Sequence, residues 1–112
     1  MLPIPLKLLI HEAVLYEVVK TDSWGTEQDN YLHLLKFVRF EPSTRIVHTG
    51  SNTDVQCTAT LFIDAISSYP TGVSVSVGNS VVWQGRRYIV QDVQRLYDDH
   101  RLHHLEVELS DG

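Results

Sequence analysis

The sequence predicts an all-β protein: a small antiparallel β-barrel or closed sandwich of six to seven strands, with long loops and at most one short helix. Apolar and polar residues alternate along short runs, as in residues 54–63 and 102–109, a period that is typical of half-buried strands. Clusters of Gly, Pro, Asn and Asp separate these runs. A closed or nearly closed barrel is favoured because so many short strands would otherwise leave unpaired edges.

Composition indicates one domain, residues 1–112, with an extended N-terminal arm at residues 1–7. The 112 residues are 43% hydrophobic and 21% charged, which is ordinary for a globular domain. The net charge of −5 argues against a general nucleic-acid binder, which would show a basic field. Cys57 is the single cysteine. It lies in an alternating apolar run, so we expect a buried apolar side chain rather than a reactive thiol.

The arm is defined by Pro3 and Pro5, which exclude a helix or a central strand. It can lie on its own barrel or on a neighbouring subunit. Although the first ten residues are apolar, they lack a basic start and contain two prolines. We therefore expect no signal peptide, no membrane span and synthesis in the cytoplasm.

Residues 8–20 fit two patterns. Leu6, Leu9, Ile10, Ala13 and Tyr16 have helical spacing. The β-branched and aromatic residues at positions 14, 16, 18 and 19 favour a strand instead, and a strand is predicted.

The next strand is predicted at residues 31–40, and regular pairing should stop at Pro42 because proline cannot donate to a ladder. Residues 44–48 form a short strand at most. The polar segments 21–30 and 43–54 are predicted to be long loops, with Trp24 in the first. Residues 54–63 should turn Cys57 inward and Thr60 outward, and a helical turn at 64–68 and a turn at 69–72 should follow.

Residues 77–109 predict a three-stranded antiparallel meander. Gly85 supplies the positive φ of a hairpin turn between Trp83 and Tyr88, and residues 98–101 form a second turn. In the last strand Leu105, Val107 and Leu109 should face the core. Glu106 and Glu108 alternate with them and should face water.

Candidate chemistry is sparse. His100, His103 and His104, beside Asp98 and Asp99, invite a metal interpretation. Strand alternation would send His103 and His104 to opposite faces, so no metal site is predicted.

Asp92 lies among apolar strand residues and is predicted to mark a β-bulge or a hydrogen-bonded barrel position. We find no nucleophile elbow and no phosphate-binding loop. The sequence therefore predicts no enzyme and no cofactor. Trp24, Arg86 and Arg87 are the candidate contacts with other subunits or with the phosphates of DNA.

The sequence also resembles the minor capsid proteins of tailed bacteriophages and prophages, a family of small head–tail connector proteins related to joining and stopper proteins. The resemblance covers nearly the whole chain. It is carried by ordered short motifs at residues 3–5, 8–11, 22–25, 38–42, 61–64, 68–70, 78–81, 83–85, 88–90, 97–98 and 103–109. Asn79 departs from the pattern, where Asp is expected after the glycine, and both residues suit a turn.

The resemblance implies a virion protein that forms a homo-oligomeric ring at the head–tail interface. Its partners would be the portal or adaptor protein, the tail proteins and the packaged DNA passing through the channel. The alternative from the residues themselves is a nucleic-acid-binding barrel of the oligonucleotide-binding type. In that alternative, aromatic side chains would stack on bases: Trp24, Tyr31, Phe37, Trp83 and Tyr88.

Overall fold

The protein forms one antiparallel sheet of six strands that closes on itself. The structure is a computed structural model that describes residues 2–20, 25–48 and 53–112. A single 3-10 turn, Leu6–Leu8, precedes the strands. The strands are β1 His11–Lys20, β2 Glu27–His48, β3 Asp54–Asp64, β4 Ser80–Trp83, β5 Arg86–Tyr97 and β6 Leu102–Asp111. The predicted all-β class with a closed antiparallel sheet is confirmed.

The order of strands around the sheet is β1-β2-β3-β6-β5-β4, and β4 returns to β1. The seam that closes the sheet is short. It consists of three pairs, Val14 with Val82, Leu15 with Val81, and Tyr16 with Ser80. The molecule measures 47 × 29 × 25 Å, because hairpins extend beyond the closed part.

The core follows from alternation along each strand. The ambiguous segment at residues 8–20 is strand from His11 onward, and Ala13 and Leu15 point inward. Leu35, Leu61 and Val107 complete the same interior and are fully buried. Burial of each such side chain contributes about 1.5–3 kcal/mol, so the closed sheet is held chiefly by its interior.

The C-terminal meander has the predicted form. β4 pairs with β5, and β5 pairs with β6, both antiparallel. Gln84 and Gly85 both have positive φ, 50° and 76°, the combination that a two-residue hairpin turn requires. In the second turn, the backbone amides of His100 and Arg101 donate to the Asp98 carboxylate at 3.0 Å.

Strand β2 is longer than predicted. It runs 22 residues as one strand, so residues 27–30 and 43–48 belong to β2 rather than to the predicted polar loops. The short strand considered at residues 44–48 is the end of β2. Pro42 does not end the pairing with β3. The register shifts between Pro42 and Arg45, and the ladder resumes beyond this bulge because a bulge accommodates a residue that cannot donate.

The connection between β3 and β4 lies across the barrel without forming a regular strand. The predicted helical turn at residues 64–68 is a hydrogen-bonded turn instead, in which Asp64 accepts the amides of Ile66 and Ser67 at 2.9 and 2.7 Å. Val75 is buried in the core, whereas Val77 is exposed. Within the described residues, no helix is long and apolar enough to cross a membrane.

Candidate assembly surfaces

The three contact residues predicted from the sequence are in different situations. Arg86 is exposed at the β4–β5 turn. Arg87 is engaged within the chain, as its guanidinium donates two hydrogen bonds to Asp29, from Nε at 2.9 Å and from NH2 at 3.0 Å. Trp24 lies outside the described residues. Of the two adjacent arginines, only Arg86 is therefore exposed and available for contacts with other molecules.

The Arg87–Asp29 pair joins the β1–β2 hairpin to the meander. Ser80 Oγ adds a third hydrogen bond to Asp29 at 3.2 Å, and Glu27 lies 3.7 Å from Arg87. The hydrogen bond from Arg87 lowers the pKa of Asp29 below its ordinary value against the opposing effect of burial. The same hydrogen bond raises the pKa of Arg87. Both groups are therefore charged at neutral pH and hold the hairpin in place.

A second ionic cluster was missed in the sequence. Glu108 was predicted to face water, but it is completely buried. Arg45 NH1 donates to its Oε1 at 2.9 Å, and Thr60 Oγ1 donates to its Oε2 at 3.0 Å. Thr60 was also predicted to face water and is buried. Arg45 follows the bulge after Pro42, and its side chain reaches across β3 to Glu108 on β6.

The N-terminal arm lies against its own barrel through backbone hydrogen bonds. Asp64 receives the amide of Ile4 at 2.9 Å, and Ser67 Oγ donates to the Ile4 carbonyl at 3.2 Å. Just after the arm, Arg39 donates to the Leu8 carbonyl at 3.1 Å, and Leu9 is buried. The arm and the residues that follow it are thus fastened mainly by polar groups on β2, at the end of β3 and in the turn after β3.

Asp64 is the centre of that attachment. Burial alone would raise the pKa of Asp64, but the backbone amides of Ile4, Ser67 and Ile66 donate to its carboxylate. Together with the nearby His103 they lower the pKa below its ordinary value. A carboxylate that accepts several amide hydrogen bonds is stabilised in its charged form. Asp64 therefore stays charged at neutral pH and fixes the arm to the turn.

His103 and His104 do not point to opposite faces, and the prediction from strand alternation was wrong. Their Nδ1 atoms are 2.7 Å apart. The register shifts at the start of β6, where Tyr97 pairs with Leu102 but Leu96 pairs with His104. His103 is therefore the extra residue of a β-bulge, and a bulge changes the direction of a side chain. Within the described residues, no group of three or more His, Cys, Asp or Glu side chains could hold a metal ion.

The aromatic residues that the structure describes do not form a platform for bases. Trp83 stacks on Phe40 with ring centroids 4.1 Å apart, and Phe40 also packs against the buried Tyr88. Tyr31 is exposed and meets Tyr16 edge to face at 6.3 Å. Trp83 and Tyr88 belong to the barrel packing, so their rings are not displayed beside Tyr31. This placement disfavours the nucleic-acid-binding alternative.

Phe37 is exposed in an uncommon conformation. Its φ is 55°, a region that bulky residues rarely adopt. Ser68 Oγ donates to the Phe37 carbonyl at 2.5 Å, and Lys36 and Tyr69 exchange both backbone hydrogen bonds at 2.9 Å. Phe37 and Tyr69 are 48% and 58% exposed. The surrounding hydrogen bonds therefore hold an aromatic side chain in solvent.

The remaining candidates are structural. Asp92 follows a register shift between β5 and β6, which confirms the predicted bulge. Cys57 is buried as predicted. Burial raises the pKa of its thiol, and the charges of Glu108 and Asp92 act in the same direction. A thiol in this state is a poor nucleophile.

A family model described as minor capsid protein matches residues 5–109. The chain belongs to this family. The match confirms the resemblance found in the sequence, and it makes this minor capsid protein a structural component of a virion. Membership implies a structural, non-enzymatic role.

Among solved structures, this minor capsid protein is similar to the phage-like element PBSX protein xkdH from Bacillus subtilis. The two chains are 13% identical with a TM-score of 0.46, and the similarity covers 90% of this chain and 92% of that chain. No curated protein matches this chain.

Proposed function

We propose that this minor capsid protein forms a homo-oligomeric ring in the head–tail connector of a tailed phage or prophage, below the portal. Membership in the minor capsid protein family across residues 5–109 is the observation that carries the proposal. In such a ring the protein contacts the portal or an adaptor protein on one side and tail proteins on the other. It is assembled in the cytoplasm of the bacterial host and occupies the head–tail interface of the virion.

The closed sheet supports assembly through defined surfaces. Each of the six strands has a partner on both sides over part of its length, so the closed part of the sheet offers no edge with which another copy could pair. Association must then use side chains, the arm or the hairpins. A ring needs heterologous contacts, in which one surface of a copy meets a different surface of the next.

Exposed apolar side chains mark the candidate surfaces. On the arm Leu2 and Leu6 are 85% and 56% exposed, and just after it Ile10 is 65% exposed. Phe37 and Tyr69 form a second exposed group on the barrel. Two apolar groups at different places on one chain fit a heterologous interface, because the arm of one copy can cover the aromatic pair of the next.

The charged surface supports passage of DNA. The net charge of −5 gives a surface that repels phosphates, so DNA in the channel would not adhere. Arg86, and Trp24 outside the described residues, are the proposed contacts with neighbouring virion proteins. Arg87, the third residue predicted from the sequence, contributes by holding Asp29.

Electron microscopy of the purified protein mixed with the phage's portal tests the proposal. We expect an additional ring of density beneath the portal, and an unchanged portal contradicts the proposal. Arg86→Glu should weaken this ring. The matched control is Arg95→Glu on β5, which makes the same charge change at another exposed arginine and should leave the ring intact.

A further inference from the structure

A pair of histidines contacts the N-terminal end of the arm, at Leu2. His103 Nε2 lies 2.6 Å from the Leu2 carbonyl oxygen. On the other side of the same ring, His103 Nδ1 lies 2.7 Å from His104 Nδ1. His104 Nε2 lies 2.9 Å from the carboxylate of Glu106. Three hydrogen bonds therefore run in series from the arm to Glu106 through two imidazole rings.

The number of protons in this chain follows from the acceptors at its ends. A carbonyl oxygen and an ionised carboxylate only accept, so both Nε2 atoms must carry a proton. The contact between the two Nδ1 atoms requires one proton more, because two bare nitrogens cannot form a hydrogen bond. Two neutral imidazoles carry two protons in total, whereas this arrangement needs three. The pair is complete only as a monocation.

We propose that His103 and His104 form a proton-dependent clasp that fastens the N-terminal arm to the barrel. With one positive charge on the pair, all three hydrogen bonds form. The neutral pair, with two protons, must lose one of the three. The pair with two positive charges has a proton on each Nδ1, and the ring-to-ring contact becomes repulsive. Attachment of the arm is therefore strongest over a window of pH and declines on both sides.

The charges around the pair favour the monocation over the neutral form. On β6, Glu106 is bonded to His104, and Asp64 at the end of β3 is the register partner of His104. Asp98 and Arg101, in the β5–β6 turn, line one small cavity with His103 and Asp64. On the side of β5, the register partners of His104 and Glu106 are the uncharged Leu96 and Gln94. Three carboxylates and one guanidinium surround the pair, so one positive charge is stabilised there.

Asp64 separates this clasp from the rest of the arm's attachment. Asp64 accepts the backbone amide of Ile4, two residues along the arm from the carbonyl of Leu2 that His103 contacts. Asp64 stays charged at neutral pH because its pKa is lowered. A change in the arm between mildly acidic and alkaline solution is then assigned to the histidine pair. The α-amino group titrates in the same range, and the His103→Gln variant distinguishes its effect from that of the pair. The clasp concerns a single copy of the protein, so it stands whether or not the protein assembles into a ring.

Nuclear magnetic resonance of the full chain tests the proposal in two ways. Ring nitrogen shifts report protonation directly. At about pH 6, within the range in which histidines titrate, we expect three protonated nitrogens on the two rings: both Nε2 atoms and one of the two Nδ1 atoms. The protection of the Ile4 amide against hydrogen exchange, corrected for its intrinsic rate, should fall about tenfold by about pH 8.5.

Variants distinguish the clasp from a general effect of pH. In His103→Gln the amide nitrogen donates to Leu2 at every pH, so the loss of protection should shrink to less than about twofold. His100→Gln is the matched control, an exposed histidine in the neighbouring turn, and should keep the tenfold loss. Two neutral rings at about pH 6, or Ile4 protection that does not change with pH, would overturn the proposal.

Discussion

Two arginine–carboxylate pairs hold the two long hairpins, and they differ in where the carboxylate lies. Arg45, near the end of the β2–β3 hairpin, holds Glu108, whose side chain has no solvent exposure. Arg87 holds Asp29 of the β1–β2 hairpin, and that carboxylate is 27% exposed. Both contacts have an N–O distance of 2.9 Å. The two ion pairs therefore have the same contact distance and differ in how much solvent reaches the carboxylate.

Because of this difference, we expect removal of Arg45 and removal of Arg87 to change the free energy of unfolding by different amounts. Water can replace Arg87 around Asp29, so that pair resembles a surface ion pair, which contributes about 0–1 kcal/mol. Water has no comparable access to Glu108. Loss of Arg45 leaves a buried carboxylate with one neutral hydrogen-bond donor, Thr60. Breaking a pair in which both groups are buried costs about 3–5 kcal/mol. The Arg45 side chain is 49% exposed, so the low end of that range is expected.

The largest effect is expected for Arg45→Ala. The free energy of unfolding, measured by urea denaturation, should fall by about 3 kcal/mol because Glu108 stays buried without a cation. The double variant Arg45→Met with Glu108→Leu is the control, and it should recover most of that loss because the buried charge is gone. A loss below about 1 kcal/mol for the single variant would show that water reaches Glu108.

A smaller effect is expected for Arg87→Ala. The free energy of unfolding should fall by about 1 kcal/mol, and the loss should shrink in 1 M salt, since screening acts on exposed pairs. Arg86→Ala, at the neighbouring exposed arginine, should change the free energy of unfolding by less than about 0.5 kcal/mol. Equal losses for the two variants would mean that the Asp29 contact contributes nothing.

The smallest effect is expected in acid. Because the folded state lowers the pKa of Asp29, its contribution is fully present above the ordinary aspartate pKa of about 3.9 and is lost as the pH falls through the lower folded value. In Asp29→Asn the free energy of unfolding should decrease less steeply below about pH 4. Asp64 titrates in the same direction in the wild-type protein and in Asp29→Asn. The difference between their two slopes of unfolding free energy against pH therefore reports Asp29 alone. Identical slopes would contradict the assignment.

The sequence predicted the parts of the fold that depend on local pattern. β-branched and aromatic residues identified β1, alternation identified β3, and Gly85 located the hairpin between β4 and β5, because propensity, burial and turn geometry act on neighbouring residues. The length of β2 was not predictable in the same way. Pro42 indicates a break locally, and only pairing with β3 shows that the ladder continues through a bulge.

The polar sites depended on contacts between distant residues. Glu108 has the local pattern of a water-facing residue, but it is buried and bonded to Arg45, which is 63 positions away in the sequence. The orientation of His103 and His104 also depends on a distant contact, because a register shift in the pairing with β5 turns one ring toward the other. A signal was present in each case: a charged residue between buried ones in β6, and adjacent histidines just after a turn.

The short seam between β1 and β4 determines when the barrel can be completed during synthesis. Its three residue pairs join positions 14–16 to positions 80–82, and contacts between such distant positions form slowly because a long loop must close first. The first three strands can pair as the chain leaves the ribosome. Until the fourth strand emerges, β1 keeps an open edge that is able to pair with another nascent chain.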